Sequence, residues 1–170
     1  MKKVLYILSV LDDQDVRWLG ESGVRRSLAP GDVLIREGGA IHSIFFILDG
    51  QLSVTVKGRS VAEVGAGEVV GEVSFIDKYP PAATVTTLVP SRVLELSRTV
   101  LERKIASDQG FSARFYLAVC TFLADRLRST LSQGSNTNER DDTLDALDLD
   151  TLHAVSKAGE RFQRVLQTLG

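Results

Sequence analysis

Two short runs in the middle of the chain hold residue types suited to cradling a phosphate: Gly71-Glu72-Val73-Ser74 and Pro81-Ala82-Ala83-Thr84. Gly71 ends a glycine-punctuated stretch that begins at Gly65, so its backbone is free to take φ > 0 or to approach a ligand where a Cβ would clash. The residues after it, through Phe75 and Ile76, suit one short helical turn whose first N–H groups face whatever sits on Gly71. Pro80-Pro81 stops that turn. Small residues then lead into a β-branched strand, Ala82-Ala83-Thr84-Val85-Thr86.

Other chemistry is sparse. His42 falls in a turn and His153 on a late helix, and neither has the Cys, Asp or Glu spacing of a metal site around it. No Ser/His/Asp arrangement, catalytic carboxylate pair on one element or Walker-type loop occurs, so nothing positive supports an enzyme. Cys120 stands inside an apolar helical run and is expected to be a small core residue. Arg126 and Arg128 end that helix, where their charge favours the C-terminal dipole, and both are expected to be solvated.

At the two central runs the chain closely resembles the phosphate-binding cassette of cyclic-nucleotide-binding domains. These occur in bacterial transcription regulators, gated channels and kinase regulatory subunits. The family pattern is Gly-Glu, about four mostly apolar residues, a variable loop, then Pro-Arg-Ala-Ala-Thr-Val, and Gly71-Glu72 and Pro80-Pro81-Ala82-Ala83-Thr84-Val85 fall in register with it. One residue departs: Pro81 stands where the family's phosphate-holding arginine belongs. The resemblance implies that Glu72 accepts a hydrogen bond from a ribose 2′-hydroxyl, and that Gly71, Val73, Ser74 and the amides from Ala82 to Thr84 line the site. It further implies cAMP or cGMP as ligand, with no metal or other cofactor. With proline at position 81 binding is expected to be weak, and Lys78 is the nearest cation that could swing in as a point charge. The family's lid over the purine falls near Arg126 and Arg128. A β-roll that has lost its ligand and serves for dimerisation or docking is the rival reading.

These residues need a frame, and the text around them provides one. From about residue 24 to 97 short runs alternate in character and are broken by turn signals such as Pro30-Gly31-Asp32, Asp49-Gly50 and Lys57-Gly58. Eight strands are predicted, at 25–28, 33–35, 44–48, 52–56, 61–64, 69–70, 84–88 and 92–96. The fold class is therefore mainly β with flanking helices, an eight-stranded, jelly-roll-like β-roll with an N-terminal helix and C-terminal helices. The resemblance covers residues 1–132 and places an amphipathic helix at the start of the chain, under the roll. The basic and apolar opening from Met1 to Leu11 imitates a secretory signal, but it meets Asp12-Asp13-Gln14-Asp15 without a cleavage site and is too short to span a bilayer. Asp12, with Asp15 three residues on, reads as a helix start.

After the roll, Thr99 is placed to cap a short helix over 100–106, and a longer helix runs over 111–132. From Phe115 to Ala124 it is apolar almost all round, which requires burial on more than one side. One side should lie on the roll, the other on the same helix of a second subunit or on the C-terminal segment. A polar linker at 133–142 precedes a last amphipathic helix at 143–170. There Asp150 is the N-cap, Leu152, Val155, Phe162, Val165, Leu166 and Leu169 form the stripe, and an unidentified protein partner could dock.

With 170 residues, 44% hydrophobic and 25% charged residues and a net charge of −2, the chain suits one globular domain and has no basic surplus for nucleic acid. The residues beyond the long helix are too few, and too poor in basic side chains, for the winged helix-turn-helix of the family's DNA-reading members. A single cysteine excludes an internal disulfide and suits the cytoplasm.

Overall fold

The computed structural model describes residues 10–134. The linker from 135 on, the helix at 143–170, His153 and the chain start lie outside the described residues. The order is helix α1 (Asp13–Ser22), strands β1 (Val24–Leu28), β2 (Val33–Ile35), β3 (Ser43–Asp49), β4 (Gln51–Val56), β5 (Arg59–Gly65) and β6 (Val69–Val70), helix α2 (Glu72–Asp77), strands β7 (Thr84–Thr87) and β8 (Ser91–Ser97), then helices α3 (Arg98–Ser107) and α4 (Gln109–Gly134). All eight predicted strands form, with boundaries moved by a residue or two.

The strands make two four-stranded antiparallel sheets, β1-β8-β3-β6 and β2-β7-β4-β5. Strand periodicity then sorts the apolar residues into two cores. Phe45 and Ile47 of β3, Val70 of β6 and Val93 of β8 point into the roll with Leu28, Ile35, Leu52, Val54, Val64 and Val85. Their neighbours Ile44, Val69 and Leu96 point the other way, onto Val16 and Leu19 of α1 and Phe111, Phe115, Val119 and Phe122 of α4. The first sheet is thus covered on both faces, which is why β3 reads as an unbroken apolar run.

Helix α1 starts as the sequence predicts. The Asp12 carboxylate accepts from the Asp15 amide at 2.8 Å and the Asp15 carboxylate accepts from the Asp12 amide at 3.1 Å, a reciprocal capping box. Asp15 has a second role: buried, it takes two hydrogen bonds from Arg114 of α4 and ties the helices together. The next helix corrects an expectation. α3 begins at Arg98 directly from β8, with Ser97 at the cap position and no side-chain capping bond, so Thr99 lies inside the helix. α4 reaches Gly134, two residues into the predicted linker.

Candidate cyclic-nucleotide site

Gly71 takes the left-handed conformation, φ 90°, that the glycine requires. A Cβ there would lie 2.9 Å from Ile41 Cδ1 and 3.0 Å from the Ser43 carbonyl oxygen, so the turn packs directly on the roll. α2 follows with Glu72 and Ser74 turned inward and Val73 outward, leaving Val73 only its backbone to offer a ligand.

Glu72 is 2% exposed, and its Oε1 accepts from Arg126 Nη1 of α4 at 2.8 Å. Burial pushes the Glu72 carboxyl above the usual range, although the Arg126 charge and hydrogen bonds from that guanidinium and from its own backbone amide pull the other way. The expectation that Arg126 is a solvated helix end is corrected here. Its guanidinium lies 5.3 Å from the Phe122 ring centroid and reaches back over the turn, while Arg128 stays exposed.

The end of α2 is pinned to α3. Lys78 Nζ and Arg98 Nε share Glu102 at 2.9 and 3.3 Å, Arg98 Nη2 donates to the Ser74 carbonyl at 3.3 Å, and both cations lie over the Phe75 ring. Lys78, proposed as a swinging cation, is therefore engaged away from the site. Phe75 packs edge-on against Phe115 of α4, centroids 6.1 Å apart. The crevice bounded by Ile41, Ser43, Ile44, Gly71, Phe75 and Arg98 has no room for a water molecule.

The second half of the cassette is fastened to the turn after β2. Buried Pro81 accepts at its carbonyl from Gly38 N at 2.7 Å, and Thr84 Oγ1 accepts from Glu37 N at 3.0 Å. Ala82 is exposed, whereas Ala83 packs on the same interior cluster as Val70, the residue before Gly71. Sequence reasoning missed the Arg126 contact. The available signal was the resemblance itself, which put a lid near that residue.

Cys120 is exposed, against expectation. The all-round apolar helix has two opposite stripes. Phe111, Phe115, Ala118 and Phe122 are buried on the roll, and Ala113, Leu117, Cys120, Ala124, Leu127 and Leu131 face outward. No group of three or more His, Cys, Asp and Glu that could hold a metal occurs among the described residues, nor a helix long and apolar enough to cross a membrane.

This β-roll with its glycine-led turn and covering helix is the architecture of cyclic nucleotide-binding domains. Residues 25–108 match the family model described as "Cyclic nucleotide-binding domain", and the chain carries a domain of that family. It is 38% identical over 90 residues to the Pycsar effector protein PaPycTIR of Pseudomonas aeruginosa, covering 52% of this chain and 29% of that one. It is 28% identical over 116 residues to a cAMP-dependent protein kinase regulatory subunit of Hypocrea atroviridis, covering 68% and 25%. The chain thus spans less than a third of the length of these curated relatives. A solved cyclic nucleotide-binding domain from Methylobacillus flagellatus shares the fold at a TM-score of 0.71, with 24% identity over 81% of this chain and 85% of that one.

Proposed function

We propose that the chain is a cytoplasmic regulatory module that binds a cyclic purine nucleotide, cAMP before cGMP, and relays its presence through α4. The observation that carries this is Glu72, a buried carboxylate one residue after a left-handed glycine, in register with the ribose-binding glutamate of the family and in contact with the long helix. The kinase regulatory subunit among its relatives, named for cAMP dependence, supports the choice of cAMP. With proline at 81 the phosphate is left to backbone amides, so the binding is weak.

The module works as a homodimer. Ala113, Leu117, Cys120, Ala124, Leu127 and Leu131 recur at alternating steps of four and three, the seam of a two-stranded coiled coil, and Leu117, Leu127 and Leu131 are 59, 61 and 65% exposed. A second reading, a ligand-independent docking unit, is favoured by Pro81 and by the Glu72 carboxylate already having a partner in Arg126. Calorimetric titration of nucleotide-stripped protein with cAMP and cGMP separates the two. Saturable binding that Glu72→Ala abolishes supports the sensor; no heat with either nucleotide supports the docking unit.

A further inference from the structure

Three features of the site bear on one another. Glu72 is sealed from solvent, its carboxylate is acceptor-only, and a guanidinium already donates to its Oε1 at 2.8 Å. The donor arrives from 54 residues along the chain, on the last described turns of α4. The Arg126 guanidinium lies over the edge of the core on the buried Phe122 ring, and its side chain is 29% exposed, so water is within its reach.

We infer that Arg126 is an internal competitor for the carboxylate that would read the ribose: without nucleotide it occupies Glu72, and a ligand's hydroxyls reach that oxygen only by turning it aside. This rests on the nucleotide reading above. Phe75 against Phe115 shows the same helix covering the same turn at a second point. The competition has an output. Arg126 immediately precedes Leu127 of the outward stripe, so releasing it loosens the part of α4 that carries the dimer seam. Nucleotide binding and the docking of α4 through Arg126 are thereby made alternatives at a single carboxylate, with any differential affinity of the ligand for the open form setting the balance.

The test compares wild type with Arg126→Gln and Arg126→Lys, and with Arg128→Gln as a neighbouring loss of charge. In nucleotide-free protein, amide hydrogen exchange over residues 119–128 should quicken in Arg126→Gln and be partly restored in Arg126→Lys. Calorimetry with cAMP should show about tenfold tighter binding for Arg126→Gln, which corresponds to about 1.4 kcal/mol, and no gain for Arg128→Gln. Slower or unaltered exchange overturns the internal contact whatever the nucleotide does. Binding that weakens in Arg126→Gln shows instead that Arg126 serves the ligand, and unaltered affinity removes the competition alone. If neither protein binds cAMP or cGMP while exchange quickens, the nucleotide reading fails and takes the competition with it.

Discussion

Replacing Pro81 by arginine restores the one group the cassette lacks, and the surroundings of that residue set what it should gain and cost. The Pro81 carbonyl, which accepts from Gly38, is backbone and survives the substitution. Two things change. The chain loses a ring that restricts both residue 81 and the preceding Pro80, which costs about 0.4–1 kcal/mol through the unfolded state, or about 1–4 °C in melting temperature for a chain of this length. Against that stands a charge-assisted hydrogen bond to the cyclic phosphate, worth about 1.5–3 kcal/mol, hence roughly ten- to hundredfold in affinity. The assay is calorimetric titration with cAMP, wild type against Pro81→Arg and the Pro81→Arg/Glu72→Ala double variant, with circular dichroism melts to show that each folds. The expected pattern is a slightly less stable protein that binds at least tenfold more tightly, with the gain largely lost in the double variant. A folded Pro81→Arg with unimproved affinity, beside a wild type that already binds tightly, would refute the reasoning and show that another group holds the phosphate.

Leu127→Glu combined with Leu117→Glu should leave a monomer, since each leucine buried at a dimer seam contributes about 1.5–3 kcal/mol; a wild type that sediments as a monomer at micromolar concentration removes the dimer. Mild oxidation with diamide checks the register, because a parallel in-register seam sets Cys120 against its copy and gives a cross-linked species. Phe111→Ala, which empties a fully buried site between Trp18 and Phe115, should cost about 3–5 kcal/mol in denaturant unfolding, while the exposed Tyr116→Ala should stay within about 0.5 kcal/mol. The fourth prediction concerns Asp15. Burial alone would raise its carboxyl, but the Arg114 hydrogen bond and charge and the Asp12 amide hold it below the usual value. A lowered folded pKa means stability that is present above the unfolded value and lost as pH falls through the folded one. Asp15→Asn should therefore be less stable than wild type at neutral pH, with the gap narrowing as pH falls below about 4; a gap that does not narrow with falling pH would contradict the assignment.

What was legible in the sequence was local. A strand's alternation, the Asp12/Asp15 cap and the left-handed Gly71 are each decided within a few residues, and each appears where the pattern placed it. Thr99 failed because β8 runs straight into α3, leaving no extended residue between them for a threonine to cap. Cys120 failed for a subtler reason. Apolarity all round a helix says that two faces want partners, not which face this chain covers by itself, and Cys120 lies on the face opposite Phe122. Arg126 meeting Glu72, and Arg114 meeting Asp15, join distant stretches through the packing of α4, and no local spacing encodes either pair.

The sheet order bears on how the chain acquires its fold. β8, the last strand, lies between β1 and β3 and pairs with both, from Val24 opposite Glu95 to Ser43 opposite Ser97. Until β8 has been synthesised, β1 has no strand to pair with and β3 has only the two residues of β6. The loop-closure cost of these pairings falls due before any of their contacts form, which makes folding slow and non-local. During translation the early strands wait with open edges, exposing the apolar run of β3 to self-association. Truncation before residue 91 should therefore yield an aggregating chain, even though it retains the entire cassette.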